Sequence, residues 1–449
     1  MEKIFDLVVI GTGDGGTSAA LVCAKAGWKV ATVDSRAYGG TCALRGSDVK
    51  KVLYGAAEAA DWARRMKGKG LEGEVRISWP DLMGFKKTFV ESFPDYLEKE
   101  FEEAGIETFH GMAKFIGEDQ VQVGEDVLKA EHILVAPGSK PTPLRMEGSE
   151  FVADSEAFLE LEQLPQRIVF IGGGYISFEF AHIASRAGSE VHIVEISDRP
   201  LKDLDRDMVD ALVSLSEDLG MSIHTGTEIT RIEKKGEGYL VKIRQDGKES
   251  DLEADLVVHG AGRIPDLEGL DLAAANILAD ASGIKVNEYL QSTSNPKVYA
   301  AGDAASNKRT MLAAQASVES HIAASNMMKG NHSVPGFRVL PRVLFTIPKI
   351  ASVGLTETEA RQAGYEFDTS VIDTTSWYTY RRTNERIASV KILVDKNEGT
   401  ILGAHALSNE ADELINQFAL AMQFRLKTED IKKTSFGYPS TASDMVYMI

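Results

Sequence analysis

The fold is decided by the stretch FDLVVIGTGDGG at residues 5–16. Its first half is a short apolar, β-branched run, which is typical of a buried parallel strand. The glycines that follow, Gly11, Gly13 and Gly16, permit a tight turn and let the main chain approach a pyrophosphate at the start of the next helix. The next strand ends at Asp34, whose carboxylate suits a ribose hydroxyl. Strand, turn, helix, strand and acid occur in this order, so the sequence predicts a dinucleotide-binding unit.

The same unit recurs later in the chain. A shift of 161 residues superimposes the equivalent positions without a gap: Gly11 on Gly172, Gly13 on Gly174, Gly27 on Gly188 and Asp34 on Glu195. Such self-similarity predicts a repeated structural unit. Two dinucleotide sites in one chain would let electrons pass between two cofactors. The shift also places Cys23 on Ala184 inside the helix, which favours a small buried residue at Cys23.

Length and charge limit the class of protein. A chain of 449 residues is too long for one core, so two or three domains are expected. The net charge of −18 argues against nucleic acid or an anionic membrane surface as partner. No apolar run is long enough to span a membrane, the chain enters a strand without a signal peptide, and two cysteines make no disulfide scaffold. The histidines show no metal-ligand spacing. These features predict a cytoplasmic protein without a metal site.

Further segments resemble one known family. The two units, with GGTCALRGSDVKK at residues 39–51 directly after the first, resemble the pyridine nucleotide–disulfide oxidoreductases. This flavoprotein family includes glutathione reductase, dihydrolipoamide dehydrogenase and mercuric reductase. Other family segments are matched, in the right order, by residues 133–141, 260–266, 296–303 and 345–354.

The resemblance implies an α/β fold with two Rossmann-like domains, one for FAD and one for NAD(P), and a C-terminal α+β dimerisation domain. The implied boundaries are residues 1–148 and 275–335 for the FAD-binding domain, 149–274 for the NAD(P)-binding domain and 336–449 for the dimerisation domain. It also implies a homodimer whose active site is shared across the subunits.

The resemblance further implies the residues that bind the cofactors. For FAD they are Gly11, Gly13, Gly16, Asp34, Gly40, Thr41, Lys51, Gly138 and Asp303. For the nicotinamide nucleotide they are Gly172, Gly174, Tyr175, Ser177, Glu195 and Gly262. A carboxylate at Glu195 accepts hydrogen bonds from both hydroxyls of the NADH ribose and repels the 2′-phosphate of NADPH, so NADH is favoured. Arg199 lies close enough in sequence to complicate this preference.

Three side chains match family positions at the flavin. Tyr175 corresponds to a ring that covers the nicotinamide pocket until NADH displaces it; the alternative is an aromatic ring packed between strand and helix. Lys51 and Glu179 correspond to an ion pair at flavin N5, where a cation favours the reduced, anionic flavin. The alternative for Lys51 is solvated charge on a helix face.

The thiol half of the family site is incomplete in this chain. Cys42 matches the substrate-side cysteine, but Ser47 stands where the flavin-side cysteine belongs. A serine hydroxyl forms no disulfide and is a negligible nucleophile without a base, so the thiol relay is cut. We expect the Cys42 thiolate to be favoured by a helix N-terminus and by the cations of Arg45, Lys50 and Lys51. Ser47 is either an engineered change or a natural divergence.

A second departure lies near the C-terminus. The family's H-P-T-x-x-E motif is matched by residues 438–443, with Tyr438 in place of the histidine and Ser443 in place of the glutamate. Tyrosine is a poor base at neutral pH but a possible proton donor. The double replacement indicates a natural subclass.

Three functions fit these residues. The first is hydride transfer from NADH to FAD and then to a small-molecule or small-thiol disulfide through Cys42 and a thiol at position 47, a step that Ser47 blocks. The second is a flavoenzyme without a redox disulfide, a transhydrogenase, quinone reductase or diaphorase, in which reduced FAD gives its electrons directly to a nicotinamide nucleotide, a quinone or a dye. The third is a redox sensor whose flavin reports the NADH level.

Overall fold

The computed structural model describes residues 2–306, 313–336 and 339–449, and it has the α/β architecture that the sequence predicts. The strands are β1 (Glu2–Ile10), β2 (Val30–Asp34), β3 (Glu107–His110), β4 (Ala113–Gly117), β5 (Gln120–Val123), β6 (Asp126–Val135), β7 (Ser139–Pro141), β8 (Arg167–Ile171), β9 (Glu190–Val194), β10 (Ser222–His224), β11 (Thr227–Lys235), β12 (Gly238–Gln245), β13 (Lys248–Ala254), β14 (Leu256–His259), β15 (Arg263–Pro265), β16 (Ala279–Asp280), β17 (Gly283–Lys285), β18 (Val298–Ala300), β19 (Ala305–Ser306), β20 (Arg342–Leu344), β21 (Lys349–Gly354), β22 (Phe367–Asp373), β23 (Ser389–Asp395) and β24 (Ile401–Ser408). The α-helices are α1 (Asp14–Lys25), α2 (Gly40–Arg45), α3 (Ser47–Arg65), α4 (Trp79–Val90), α5 (Phe93–Glu103), α6 (Ser155–Leu159), α7 (Tyr175–Ala187), α8 (Arg206–Asp218), α9 (Ala313–Lys329), α10 (Glu357–Gln362), α11 (Tyr378–Arg381), α12 (Ala411–Gln423), α13 (Thr428–Lys433) and α14 (Thr441–Met448).

The chain divides into two compact units. Unit 1 covers the described residues of Met1–Lys50, Gly84–Pro143 and Gly262–Pro335, and unit 2 those of Lys51–Met83, Leu144–Ala261 and Gly336–Ile449. The three domain boundaries expected from the resemblance stay predictions.

Unit 1 is built on a mostly parallel sheet. Strands β3, β2, β1 and β6 lie side by side in this order and in parallel, and β18 also pairs with β6 in parallel. Helix α1 follows β1 and packs against α9, where the main-chain N–H of Ala19 donates to the Ser320 hydroxyl at 2.9 Å. Small residues along α1 allow this close approach, and among them Cys23 is fully buried, which confirms its predicted place in the core.

Unit 2 contains the second dinucleotide-binding repeat and a C-terminal sheet. Strands β10, β9, β8 and β14 form a four-stranded parallel sheet, which reproduces the arrangement β3–β2–β1–β6. Strands β11, β12 and β13, which lie between β10 and β14 in the sequence, form an antiparallel meander. Near the C-terminus, two strands, β23 and β24, are followed by the helix α12.

The C-terminal sheet has the order β20, β21, β24, β23 and β22, and all of its pairs are antiparallel. Helix α12 covers one face of it with Leu414, Ile415 and Phe418, which are all buried in that core. No helix in the described part of the chain is both long and apolar enough to cross a membrane.

Candidate active site

The first glycine turn lies between β1 and α1 and has no room for side chains. Gly11 has a φ of +99°, and a Cβ added there would lie 2.2 Å from the carbonyl oxygen of Ala136. A Cβ on Gly16 would lie 1.9 Å from the carbonyl oxygen of Gly11. Only glycine fits these positions, because any side chain would collide with main-chain atoms. The turn therefore exposes bare main chain at the start of α1, as a bound pyrophosphate requires.

Two carboxylates lie at equivalent positions of the two dinucleotide-binding repeats and make equivalent hydrogen bonds. Asp34 accepts from the main-chain N–H groups of Thr12 and Arg36, both at 2.9 Å. Glu195 accepts from the main-chain N–H groups of Gly173 at 2.6 Å and Ser197 at 2.8 Å. The donors are separated by the same shift that relates the carboxylates. Each acid is therefore held against its own glycine turn, where a ribose would lie.

The segment after β2 packs against the first turn through glycine. Gly40 has a φ of +70°, and a Cβ there would lie only 2.4 Å from the Cα of Gly13. This contact places α2 beside the start of α1, with Thr41 and Cys42 half-buried. The Cys42 thiol donates a hydrogen bond to the carboxylate of Asp14, the first residue of α1. Ser47 begins the next helix, α3.

The half-buried carboxylate of Asp303 ends the family-like segment of residues 296–303. Asp303 accepts a hydrogen bond from the Ser139 hydroxyl at 2.6 Å, and Arg263 Nε donates to the same hydroxyl at 2.9 Å. Burial raises the pKa of Asp303 above its usual value, while the Ser139 hydrogen bond and the Arg263 charge oppose that shift. Gly138 and Gly262, both with positive φ, flank the β7–β15 pair that brings Ser139 and Arg263 together. A half-buried acid with spare acceptor capacity suits a hydroxylated chain such as the ribityl group.

The second glycine turn lies between β8 and α7. A Cβ on Gly172 would lie 2.8 Å from the Cα of Ala261, so this turn also requires glycine. Among the described residues, the buried hydroxyls of Tyr175 and Ser177 have no hydrogen-bond partner. Burial raises the pKa of Tyr175 to about 12, so its hydroxyl is a proton-bearing donor at neutral pH. Two unpaired buried hydroxyls at a glycine turn are consistent with a site that a ligand completes.

Phe345 brings together the two residues expected at the flavin N5 position. Lys51 Nζ lies 4.8 Å from the centre of the Phe345 ring, within cation–π range. The buried carboxylate of Glu179 accepts a hydrogen bond from the main-chain N–H of Phe345 at 2.8 Å. All three residues belong to unit 2, whereas Cys42 belongs to unit 1. The direct Lys51–Glu179 ion pair stays a prediction.

Tyr438 lies just before α14, with 76% of its surface exposed. Its ring stacks on Tyr378, with the ring centres 6.4 Å apart. Ser443, which occupies the place of the family's glutamate, forms a capping box with Ser440 at the start of α14. Ser443 therefore has a structural task that does not require a catalytic role.

Four residues of these sites were not identified from sequence. Ser139 contacts Asp303 and is itself contacted by Arg263. Phe345 links Lys51 with Glu179, and Asp14 contacts Cys42. Arg263 and Phe345 lie inside segments that match family motifs, so their positions were available as a signal. Asp14 had a different signal, because a carboxylate is unexpected in a turn that is predicted to meet phosphates.

The comparisons with known proteins cover nearly the whole chain. Residues 5–320 match the family model for pyridine nucleotide-disulphide oxidoreductases, and residues 340–449 match the model for the dimerisation domain of the same proteins. A dihydrolipoyl dehydrogenase from Thermus scotoductus is 32% identical over 449 residues, covering 99% of this chain and 96% of the relative. A mercuric reductase from Staphylococcus aureus is 31% identical over 450 residues, covering 98% of this chain and 81% of the relative.

A solved structure has the same fold. The HOCl-induced flavoprotein disulfide reductase RclA from Escherichia coli superimposes with a TM-score of 0.89 at 24% identity, covering 99% of each chain.

Proposed function

The chain belongs to the pyridine nucleotide-disulphide oxidoreductase family, and we propose that it reduces FAD with NADH and passes the electrons directly from the flavin to an acceptor. Membership makes it an enzyme that uses FAD and a pyridine nucleotide. The acceptor that we propose is a quinone or a second nicotinamide nucleotide. Disulfide reduction through Cys42 is the competing function.

The observation that carries this proposal is the cysteine inventory. The chain contains two cysteines, Cys23 and Cys42, and they form no disulfide with each other. Cys23 is fully buried inside α1, and burial raises the pKa of its thiol to about 12, which makes it inert. Ser47 cannot form a disulfide with Cys42. A relay that needs two neighbouring thiols is therefore unsupported within one chain, whereas electron transfer from the flavin itself needs neither.

The cofactor preference rests on Glu195. Its carboxylate is fixed by the N–H groups of Gly173 and Ser197, so its negative charge stays at the turn that would hold the adenosine ribose. That charge repels a 2′-phosphate. Arg199, which complicated the preference, donates from its guanidinium to the Leu204 carbonyl. These contacts support NADH over NADPH.

The hydride-accepting side has the groups that flavin reduction requires. Lys51 places a positive charge beside Phe345, and a cation near the flavin favours its anionic reduced form. Glu179 adds a buried negative charge at the same residue. Tyr175 begins α7 at the turn where the nicotinamide nucleotide would bind. We infer that these residues bind and orient the two cofactors, while FAD itself supplies the redox chemistry.

The test is anaerobic stopped-flow. The FAD-loaded protein is reduced with NADH and then mixed with a benzoquinone, a thionicotinamide nucleotide, oxidised glutathione or oxidised lipoamide. We expect the quinone or the nucleotide to reoxidise the flavin in repeated turnovers and the two disulfides to fail.

The Ser47→Cys variant provides the matched comparison. If this variant turns over disulfides while the unaltered chain only accumulates a stoichiometric adduct on Cys42, the protein is a disulfide reductase whose relay Ser47 blocks. Turnover of disulfides by the unaltered chain would overturn the proposal outright. Flavin reduction too slow for any turnover, combined with a response of a partner protein to NADH, would indicate a redox sensor.

A further inference from the structure

Asp14 is the residue of the first turn that cofactor binding leaves unexplained. It begins α1, and the close contact between Gly13 and Gly40 brings the start of α1 against α2. Across this contact the Cys42 thiol donates a hydrogen bond to the Asp14 carboxylate. A glycine pair that permits so short an approach thus places a titratable acid on the single accessible cysteine of the chain.

Charged side chains of both signs belong to the segments around the Asp14–Cys42 pair. A second carboxylate, Asp48 on α3, acts electrostatically on Asp14. Arg45 and Lys50 are the cations of the same segment, and both are half-buried. Helix α9 contacts α1 through the neutral hydroxyls of Ser317 and Ser320.

Burial raises the pKa of Asp14, the hydrogen bond from Cys42 opposes that rise, and Asp48 adds to it. Because the thiol is hydrogen-bonded to Asp14, a negative charge on Cys42 beside the ionised Asp14 costs more than it would in water. The helix N-terminus and the cations around Cys42 favour a thiolate, whereas the carboxylate of Asp14 opposes it.

We propose that Asp14 holds the proton of Cys42, so that Cys42 remains a thiol rather than a thiolate at neutral pH. Asp14 is a positioning residue that acts through Cys42. No proton passes to Asp14: its ionised carboxylate accepts the hydrogen bond of the thiol, and when the thiolate forms the proton is lost to the solvent. The inference rests on the proposed function, which it deepens, because a cysteine kept protonated is a poor nucleophile towards disulfides and leaves the flavin as the site of electron output.

The test is the pH dependence of alkylation of the FAD-bound protein by iodoacetamide. In this reaction the thiolate sulfur forms a bond to carbon and iodide leaves, so the rate reports the fraction of thiolate. Alkylation of the Cys42→Ser variant measures the background from Cys23. The variants compared are Asp14→Asn, which removes the charge with little change of shape, and Asp48→Asn, which removes a nearby charge that has no hydrogen bond to the thiol.

We expect Asp14→Asn to lower the midpoint of the alkylation profile by about one pH unit and to raise the rate at pH 7 by about tenfold. Asp48→Asn should shift the midpoint clearly less. An Asp14→Asn profile that coincides with that of the unaltered protein, or with that of Asp48→Asn, would overturn the proposal. So would slower alkylation, since that result would make Asp14 a base that activates Cys42.

A second readout does not depend on reactivity. The infrared S–H stretching band that disappears in Cys42→Ser should move to higher frequency in Asp14→Asn, because the thiol loses its charged acceptor. Retained FAD and unchanged circular dichroism establish that the variant is folded, and Asp14→Ser replaces it if it is not. Neither measurement uses NADH or an electron acceptor, so failure here is distinguishable from failure of the proposed function.

Discussion

The positions of Asp34 and Glu195 in the sequence predict a role for each carboxylate, and the structure adds a second role. Asp34 ends β2 and Glu195 directly follows β9, and each accepts hydrogen bonds from two main-chain N–H groups nearby. The carboxylates are therefore part of the turn as well as predicted ribose ligands. Replacing Glu195 consequently affects the local backbone unless the new residue keeps an acceptor oxygen.

Glu195→Gln tests the cofactor preference at this residue. The amide retains an acceptor for the turn but removes the negative charge, so NADPH loses its repulsion. We expect the ratio of kcat/KM for NADPH to that for NADH to rise by about tenfold, which corresponds to about 1.4 kcal/mol. The measurement is steady-state reduction of a quinone with each nucleotide. Glu190→Gln, at an exposed acid on the same strand β9, serves as the control and should leave the ratio where it is. An unchanged ratio in Glu195→Gln would mean that other groups select the nucleotide.

The contact between the first turn and α2 is decided by secondary-structure elements rather than by one side chain. Gly13 precedes α1 and Gly40 begins α2, and a Cβ on Gly40 would occupy the space that Gly13 fills. The same approach sets the position of Cys42 relative to Asp14. The packing of these two elements is therefore a requirement of the site and not a detail of the loop.

A pair of glycine replacements tests this packing. In Gly40→Ala the new Cβ would lie 2.4 Å from the Cα of Gly13 at a φ of +70°. We expect the free energy of unfolding to fall by about 2–4 kcal/mol and the fraction of protein that retains FAD to drop. Chemical denaturation and the flavin-to-protein absorbance ratio measure the two effects.

The matched control lies inside α3. Nothing lies within 4 Å of a Cβ added to Gly55, an exposed residue in the interior of that helix. Gly55→Ala should therefore stabilise the protein by about 0.5–1 kcal/mol through the better helix propensity of alanine. If Gly40→Ala retained full FAD and behaved like Gly55→Ala, the close approach of the two elements would not be required.

At the scale of the whole molecule, the C-terminal match supports a homodimer. The proposal that the active site is shared between subunits stays a prediction. Tyr438 is largely exposed on the single chain and stacks on Tyr378, which is also exposed. Exposed aromatic rings near the C-terminus are the kind of surface that a subunit interface covers.

The pH dependence of stability is a further property of the whole molecule. Glu385 is half-buried, accepts a hydrogen bond from the N–H of Asn409 at 3.0 Å, and has its pKa raised by burial to about 7. Between the ordinary glutamate pKa and about 7, the folded state binds a proton that the unfolded state does not. Stability therefore decreases as the pH rises through this window.

Glu385→Gln should remove this decrease. The amide keeps an acceptor for Asn409 but does not ionise, so the variant should gain about 1–3 kcal/mol over the unaltered protein between pH 5 and pH 8. Urea unfolding at several pH values and one fixed protein concentration measures the difference. Glu237→Gln, at an exposed turn, is the control and should run parallel to the unaltered protein. Parallel curves for Glu385→Gln as well would show that Glu385 is not the titrating group.

The sequence determined the two dinucleotide units, their strand–turn–helix order and the equivalent acids. These features are local: short apolar runs, glycines at fixed spacing and a carboxylate at a strand end follow from the conformational limits of neighbouring residues. The absence of a second thiol at position 47 could also be read from the sequence, because it depends on residue type alone.

Only the tertiary structure decided which distant residues meet. Ser139 joins Asp303 to Arg263, and Phe345 joins Lys51 to Glu179. The Cys42 thiol likewise meets Asp14 from a different segment of the chain. Such contacts depend on how packed elements approach one another, to within an ångström, and no local pattern encodes that distance. The proposed protonation of Cys42 also depends on tertiary structure, because the Gly13–Gly40 contact brings Asp14 to the thiol.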